Sequence, residues 1–537
     1  MTRTTTRTRR LATLAVIAAG AATLAACTTP AASSPSTADA GAVLTVGIQK
    51  PTSLIPGNSS GLFANTVVGA LFDGLVDYDP ETGETRNLVA SSIETDDQRV
   101  WKIEIAPGWT FHNGEPVDAA AFARAWNAAV DPDNAWVQAD QFSNIEGYDE
   151  VAPAEGAPTA ETMSGISVDD DLHLTVTLKK PNSQFPYLLG RQYYSPLPQA
   201  ALDDPESFAT KPIGNGPYEM AEPWTGGDEI VTQRYEDFQG EAPVNGGVTF
   251  RVYTGNDVAY TDYQAGAVDI VTLNSADIPE AEAAYPELVR RSAVDDWRNY
   301  LSLPTYLPGY DDPNIRKALS MAIDRESIIS SLLDGQAHVA TDYDIPVSIG
   351  YRDDACGESC AFDPTAAKEL WDAAGGIDGP LTVTSVTGTG REIWAEAIAN
   401  QWAEAFDTEV TVAQVASENT WSGILGKEIE SPVALGAPGN YPSPLDTLGP
   451  SYSSAGSVNG SFYSNPDFDA LLDDAAAASS TEDQMDLYAE AKDLLIRDTA
   501  SILLWTYPST YVVSERASSW VPDSFNKGEF GSVSISE

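Results

Sequence analysis

Cysteine and histidine are scarce in this chain of 537 residues, which has three of each. They are Cys27, Cys356, Cys360, His112, His173 and His338. Zinc and related metals are held by clustered cysteine and histidine ligands, and a disulfide-built scaffold needs many cysteines. The scarcity of both residues excludes such a scaffold and leaves no evident ligand cluster. The sequence therefore predicts no metal site and no cofactor.

Basic residues are also few. The chain has 29 Lys and Arg against 79 Asp and Glu, which gives a formal net charge of −50. Nucleic-acid binding requires positive charge that neutralises phosphates, so nucleic acid is excluded as a partner. The acids are spread along the chain, and we interpret them as a strongly solvated surface. The hydrophobic content of 42% is typical of a globular protein.

The N-terminus has an apolar run over residues 11–26 that is too short to span a membrane. Four arginines between positions 3 and 10 precede it, which is the pattern of a secretory signal. The run ends in Leu24-Ala25-Ala26-Cys27, which resembles a bacterial lipobox and implies lipidation of Cys27. A plain signal peptide with an accidental cysteine is the alternative. We expect a signal peptide over 1–26, a flexible tether over 27–42, and a lipid-anchored protein on the outer face of the cell membrane.

Residues 100–130 carry the most informative pattern in the chain. Polar and apolar residues alternate over 100–105, which predicts a half-buried strand, and Pro107-Gly108 ends it. Asp118 stands at the N-cap of a predicted helix whose apolar residues follow at helical spacing. These residues predict packing architecture, because none of them suits catalysis.

This block resembles a signature segment of the family 5 extracellular solute-binding proteins. That family includes the oligopeptide- and dipeptide-binding components of ABC importers. Further segments resemble the family's other motifs in the same order: residues 72–76, 87–90, 212–218, 263–270 and 314–329. The resemblance implies that the protein captures a solute and delivers it to membrane permease subunits that work with a separate ATPase. We expect a monomer.

The resemblance also implies the fold, an α/β bilobal fold of the periplasmic-binding-protein type II class with an extra inserted domain and a hinged cleft. Some 500 residues after the tether agree with more than one hydrophobic core. We expect a discontinuous lobe I over 43–79, 195–298 and 508–537. An inserted domain II would cover 80–194, and lobe III would cover 299–507.

The resemblance places the ligand at residues 436–444. In peptide-binding members an acid in this segment pairs with the peptide's ammonium, and the adjoining backbone pairs with the extended ligand. The predicted ligand-binding residues are Gly436, Ala437, Pro438, Asn440, Tyr441 and Asp140. Asn440 stands in place of the acid, and Pro438 has no N–H to donate. Two alternatives stay open: peptides whose ammonium meets another acid such as Asp140, or an oligosaccharide or blocked peptide.

Three other short sequence patterns are interpreted here as structural features. Residues 57–61 satisfy G-x-S-x-G, but the two prolines before them favour a loop over a hydrolase nucleophile elbow. We therefore predict a binding protein and not an enzyme, with a secreted hydrolase or sensor domain as the alternative. Asp324-Arg325 predicts a surface or interlobe ion pair. Outside the membrane Cys356 and Cys360 favour a short disulfide over a free pair.

Overall fold

The computed structural model describes residues 41–79, 83–387, 389–439, 441–478, 480–522 and 529–536. The predicted signal peptide, most of the tether, Cys27 and Asn440 lie outside these described residues.

Strands and helices are mixed along the described chain, so the α/β composition is confirmed. The strands are β1 (Val43–Gln49), β2 (Val76–Tyr78), β3 (Thr85–Asn87), β4 (Ala90–Thr95), β5 (Val100–Ile105), β6 (Ile166–Val168), β7 (His173–Thr177), β8 (Tyr218–Met220), β9 (Glu229–Arg234), β10 (Gly247–Tyr253), β11 (Ile270–Thr272), β12 (Val289–Arg291), β13 (Trp297–Ser302), β14 (His338–Val339), β15 (Leu381–Val386), β16 (Val410–Val415), β17 (Val433–Pro438), β18 (Ser501–Tyr507) and β19 (Thr510–Val513).

The α-helices of the described residues include both single turns and long helices. They are α1 (Leu62–Leu71), α2 (Ala119–Val130), α3 (Tyr148–Val151), α4 (Phe185–Leu188), α5 (Ala200–Asp203), α6 (Pro205–Thr210), α7 (Asn256–Gln264), α8 (Ile278–Ala284), α9 (Pro313–Met321), α10 (Arg325–Leu332), α11 (Pro364–Ala374), α12 (Arg391–Phe406), α13 (Ser417–Leu425), α14 (Pro444–Tyr452), α15 (Pro466–Ala477) and α16 (Thr481–Asp498).

The lobe I sheet has seven strands in the order β12-β19-β11-β1-β10-β9-β8. β1 runs parallel to β10 and β11, whereas β19 is antiparallel to both of its neighbours. Leu44, Val46 and Ile48 alternate along β1 and are buried in the core, which is why this segment forms an inner strand. The sheet therefore joins parts of the chain that are far apart in sequence.

The inserted domain contains a four-stranded sheet in the order β4-β5-β7-β6, packed against α2. The predicted strand over 100–105 is confirmed as β5, with Trp101, Ile103 and Ile105 buried. The predicted N-cap is also confirmed, because Oδ1 of Asp118 accepts a hydrogen bond from the N–H of Ala121 at 2.8 Å. Local periodicity was sufficient to predict this unit.

The lobe III sheet has six strands in the order β14-β18-β13-β17-β15-β16. Helices α9, α10, α11 and α12 pack on one face of it through a core that includes Leu319, Trp394 and Trp402. The predicted boundary between residues 298 and 299 falls inside β13, which already belongs to this sheet from Trp297 onward. The domain limits as a whole stay a prediction.

The prediction of a surface or interlobe ion pair at Asp324-Arg325 was wrong. Arg325 is buried and donates hydrogen bonds to the backbone oxygens of Leu503, Ser320 and Cys360. Asp324 instead caps α10 through the N–H of Ser327. Burial lowers the pKa of Arg325 to about 10. The guanidinium ties together three segments of lobe III.

Two short hinge segments, residues 292–296 and 508–509, connect the lobe I sheet to the lobe III sheet. The N–H of Ser292 donates to the backbone oxygen of Ser509 at 3.0 Å. The carboxylate of Asp296 accepts from Oγ of Ser292 and from the N–H of Ser509, both at 2.7 Å. Burial raises the pKa of Asp296 to about 6. The two hinge segments are therefore hydrogen-bonded to each other.

Cys356 and Cys360 are joined by a disulfide across one turn of 3-10 helix, Gly357–Ser359.

Within the described ranges, no helix has the length and apolar character needed to cross a membrane. The same residues contain no group of three His, Cys, Asp or Glu side chains arranged to hold a metal ion.

Candidate ligand-binding cleft

The edge of the lobe III sheet next to the hinge segments gathers side chains from several elements. β15 and β17 run parallel and end at this edge, whereas β13 begins there. Trp297 at the start of β13 pairs with Pro438 of β17 and with Tyr507 of β18. α12 begins at Arg391, shortly after β15 ends. We call this group the lobe III edge, defined as Trp297, Asn299, Arg391, Gly436 and Tyr507.

Gly436 lies at the centre of this group. A Cβ atom on it would stand 2.8 Å from Nη2 of Arg391 and 2.9 Å from both Oδ1 of Asn299 and Nε1 of Trp297. No side chain fits there unless these groups move. Glycine thus allows three polar side chains to converge on the half-buried backbone of β17.

Trp297 contributes a hydrogen-bond donor with no acceptor. Its Nε1 is buried and has no partner among the residues that the structure describes. The indole ring stacks on Tyr507, with ring centroids 6.2 Å apart and planes 27° apart. A buried donor without an acceptor costs about 1–3 kcal/mol, so an acceptor from a bound ligand would be favourable here.

Arg391 is a half-buried cation at the start of the 16-residue helix α12. It forms no salt bridge with any described residue, although Glu392 is close enough to influence it. Burial lowers the pKa of Arg391. The helix N-terminus has no side-chain cap and itself carries a partial positive charge. A cation and an uncapped helix N-terminus together suit an anionic group.

The predicted residues Gly436, Ala437 and Pro438 form the last part of β17. β17 pairs with β13 along its whole length, but its pairing with β15 is limited to Val433 opposite Thr384. From residue 434 onward this side of β17 has no strand partner among the described residues. An extended ligand could pair with it as an added strand.

Tyr441 is buried in a cluster that joins lobe III to the inserted domain. It packs with Ile345 and Val347 of lobe III and with Tyr78, and half-buried Tyr187 packs against this cluster. Burial raises the pKa of Tyr441 well above its usual value. The neighbouring Asn440 lies outside the described residues.

Arg191 lies beside this cluster and is itself buried, with its guanidinium 5.5 Å from the ring centroid of Tyr193. Burial opposes its charge, but Tyr193, Tyr78 and Asp446 together raise the pKa of Arg191. Asp446 also raises the pKa of Tyr441. A cation and an acid of the chain itself therefore stand next to the segment where the resemblance implies an ammonium.

Asp140 lies on a short 3-10 helix, Ala139–Phe142, of the inserted domain, and its side chain is exposed. Its hydrogen bond comes from Nε2 of Gln141 at 3.4 Å. Oε1 of Gln141 in turn accepts from the hydroxyl of Tyr193 at 3.1 Å. Asp140 is thus connected to the region of Arg191 through its neighbour, and its role in binding stays a prediction.

Two side-chain pairs connect residues 180–184 to helices α15 and α16. Nε2 of Gln184 donates to Oε1 of Gln484 at 2.5 Å, and both side chains are buried. Nζ of Lys180 lies 2.8 Å from the carboxylate of Asp473, and both are exposed. We call these two pairs the latch.

Within the described part of the chain, no histidine or acid is hydrogen-bonded to the serine of the G-x-S-x-G segment. Oγ of Ser59 donates to the backbone oxygen of Pro56 at 2.9 Å. His112 is buried, with Nδ1 accepting from the N–H of Gly214 and Nε2 next to the oxygen of Gly216. Burial lowers the pKa of His112 to about 4. Both residues serve to fix loops.

The chain matches the family described as "Bacterial extracellular solute-binding proteins, family 5 Middle" over residues 84–459. It belongs to this family. The resemblance stated from the motifs is therefore confirmed, and so is the prediction of a binding protein and not an enzyme. The family also supports an extracytoplasmic location.

Relatives of this family 5 protein match most of its length. The periplasmic oligopeptide-binding protein OppA of Escherichia coli K12 is 26% identical over 478 residues, covering 86% of each chain. The glutathione-binding protein GsiB of Salmonella typhimurium LT2 is 25% identical over 474 residues, covering 84% of this chain and 86% of that protein. The structure of the ABC transporter substrate-binding protein CtaP of Listeria monocytogenes superposes with a TM-score of 0.80 at 19% identity, covering 93% of this chain and all of that one. The bilobal fold is confirmed.

Sequence reasoning missed Arg391 and Trp297. A basic residue at the first position of a helix is unfavourable for the helix dipole, and this was the available signal for Arg391. Trp297 carried no such signal, because an aromatic residue in a strand is more often plain packing.

Proposed function

We propose that this family 5 protein is the solute-binding component of an ABC importer and that it captures peptides in the cleft between its lobes. The observation that carries the proposal is the lobe III edge, where Arg391 forms no salt bridge and the indole N–H of Trp297 has no acceptor among the described residues. The relatives' names, an oligopeptide-binding and a glutathione-binding protein, support the same ligand class.

The lobe III edge would bind two different parts of a peptide. A ligand carboxylate would accept hydrogen bonds from Arg391, from Trp297 and from the uncapped N-terminus of α12. The ligand backbone would pair with the open side of β17 at Gly436. Closure then requires only that the ligand binds the closed form more tightly than the open form.

Family membership and the N-terminal sequence support the rest of the transport role. We propose lipidation at Cys27, a tether to the outer face of the membrane, and delivery of the ligand by a monomer to permease subunits. The energy for import would come from a separate ATPase.

A blocked peptide or an oligosaccharide is the second candidate ligand. Arg191 favours it, because this buried cation lies beside Tyr441, near the segment where a peptide ammonium is expected. A second positive charge would be repelled there unless Asp446 or Asp140 compensates it.

The test is native mass spectrometry of the protein purified from residue 28 onward, followed by calorimetry with synthetic peptides of three to five residues. Each peptide is supplied with free ends, with an acetylated N-terminus and with an amidated C-terminus. We expect amidation to weaken binding strongly and acetylation to have little effect. A co-purified sugar series, or the absence of binding by every peptide, would reject the peptide proposal.

A further inference from the structure

An asparagine lies in the middle of the lobe III sheet, where apolar residues are expected. Asn299 belongs to β13, which has β18 on one side and β17 on the other, and it is only 5% exposed. Leu301, the next residue on the same face of the strand, is fully buried in the core. Asparagine is depleted in strands, and a buried amide is unfavourable unless it forms hydrogen bonds. The side chain of Asn299 therefore needs hydrogen-bond partners.

The oxygen of this amide faces Gly436. Asn299 is the cross-strand partner of Gly436, and its Oδ1 lies 2.9 Å from the position that a Cβ atom on Gly436 would take. The pairing of β13 with β18 shifts in register between Asn299 and Tyr300. Such irregularities are frequent next to functional sites, where they change the direction of a side chain. Asn299 thus presents an acceptor at the lobe III edge.

Tyr507 explains why the oxygen and not the nitrogen of the amide faces Gly436. Burial raises the pKa of Tyr507, whereas the charge of Arg391 and a hydrogen bond from Asn299 lower it. A hydrogen bond lowers the pKa of a tyrosine when it is donated to the phenolic oxygen, because it stabilises the charged form. The amide nitrogen of Asn299 is therefore directed to Tyr507, and Oδ1 is left to accept a hydrogen bond from a ligand.

The groups next to Oδ1 are donors. Nη2 of Arg391 and Nε1 of Trp297 lie 2.8 and 2.9 Å from the same Cβ position above Gly436, and the indole N–H has no acceptor among the described residues. One acceptor and two donors therefore converge on one place. A carboxylate bound to the donors cannot satisfy the acceptor, because it has no hydrogen to donate. A ligand that satisfies all three groups carries an N–H or O–H next to its carboxylate.

We infer that Asn299 accepts a hydrogen bond from the N–H of the last peptide bond of the ligand, an assignment that rests on the proposed peptide function. In a peptide this N–H and the terminal carboxylate are attached to the same carbon atom, so Asn299 and Arg391 can bind them together. Asn299 then determines the specificity for an amide over an ester at this linkage. An ester has no hydrogen to donate, and its oxygen faces Oδ1 with two lone pairs opposed.

The experiment pairs each free-end peptide of the calorimetric series with an analogue whose last residue is the corresponding α-hydroxy acid. The analogue keeps the carboxylate, the side chain and the length, and it replaces only the last N–H by an ester oxygen. Binding of both molecules to the whole mature protein is measured by calorimetry. We expect the ester to bind about ten- to a hundredfold more weakly, because Oδ1 is left buried without a donor.

Asn299→Leu removes the acceptor at a similar side-chain volume. In this variant the peptide and its ester should bind within about twofold of each other, because the group that distinguishes them is absent. Asn314→Leu, at an exposed position of α9 in the same lobe, is the matched control and should keep the full difference. A general disturbance of the fold weakens both ligands together, so the ratio of the two affinities reports the contact itself.

Equal affinity of peptide and ester for the wild-type protein would overturn the inference and leave the peptide function standing. An undiminished difference in the folded Asn299→Leu variant would overturn it as well. The absence of binding by every peptide would reject the peptide function, and the inference with it. If the variant does not fold, the comparison on the wild-type protein still decides.

Discussion

The carboxylate of Asp296 accepts a hydrogen bond from the backbone N–H of Ser509 at 2.7 Å, so the two hinge segments between the lobes are bonded to each other. Ser292 lies in the same hinge segment as Asp296, and its hydroxyl donates to the same carboxylate. This buried acid is placed where the two lobes must move relative to each other if the cleft opens.

Asp296 should make stability depend on pH in an unusual direction. Burial raises its folded-state pKa to about 6, above the ordinary 3.8. Between these values the folded protein binds more protons than the unfolded chain, so this group's contribution to stability falls as pH rises from 4 to 6. Asp296→Asn should remove that fall, which amounts to at most about 3 kcal/mol. Urea unfolding of both proteins at pH 4, 5, 6 and 7 measures it.

Ser292→Ala is the matched control for this effect. It keeps the carboxyl group but removes a hydrogen bond that lowers the pKa of Asp296. The fall in stability should therefore persist, still begin near the ordinary pKa of 3.8, and extend to higher pH. Identical pH profiles for wild type and Asp296→Asn would contradict the assignment.

The ion pair between Lys492 and Asp342 should be essential for folding of lobe III. Nζ of Lys492 lies 2.6 Å from Oδ2 of Asp342, and neither side chain is exposed. Lys492→Met would leave the buried carboxylate of Asp342 with the more distant Nε of Arg352, at 3.7 Å, as its remaining ion-pair partner among the described residues, so we expect a loss of about 3–5 kcal/mol in the free energy of unfolding. The exposed Asp493, which pairs with Arg352, offers a comparison, because Asp493→Asn should cost less than about 1 kcal/mol. Equal losses in urea unfolding would reject this reasoning.

Breaking the latch should favour the open form. Gln484→Leu removes the acceptor of Gln184, so closure would bury an unpaired amide at a cost of about 1–3 kcal/mol. Small-angle scattering of the unliganded variant should give a larger radius of gyration, and ligand affinity should drop about tenfold. Lys180→Gln, in the exposed latch pair, should change both quantities little. A variant as compact as wild type would argue against a latch.

The Cys356–Cys360 disulfide should contribute modestly, because it closes a very short loop. The chain-entropy model gives about 2 kcal/mol for a loop of this size. The double change of both cysteines to serine should lower the free energy of unfolding by that amount. Reductant should destabilise wild type equally and leave the double variant unchanged, and an effect of reductant on the variant would point to another cause.

Arg391→Gln should separate ligand binding from stability. The guanidinium has no salt bridge with the described residues, so its removal should leave the unfolding free energy unchanged or slightly higher. Affinity for a peptide with a free carboxylate should fall by about 1.5–3 kcal/mol. Affinity for the amidated peptide should stay the same. Calorimetry that shows equal losses for both peptides would remove Arg391 from the carboxylate site.

The sequence predicted those parts of the molecule that depend on nearby residues. β5 and α2 follow from alternation, a turn and an N-cap within thirty positions of each other. The family motifs predicted the bilobal fold, because their order along the chain is itself informative. β17 lies next to the hinge segments, because the N–H of Gly439 donates to the backbone oxygen of Asp296 at 2.8 Å, and the assignment of residues 436–438 to the cleft stays a prediction.

The features that the sequence did not predict depend on contacts between residues far apart in the chain. Arg325 was assigned to an ion pair from its neighbour Asp324, but it is buried and donates a hydrogen bond to the backbone oxygen of Leu503, 178 positions away. Arg391 and Trp297 meet only because both approach Gly436. No local sequence pattern indicates that these residues are close in space. The polar part of the site could therefore be found only from the three-dimensional structure.

The order of strands also has a consequence for biosynthesis. β18 lies between β14 and β13 in one sheet, and β19 lies between β12 and β11 in the other. A nascent chain that has reached only residue 500 lacks an inner strand in both sheets. Neither sheet can be completed until residues 501–513 have been synthesised, so both lobes depend on one late segment of the chain.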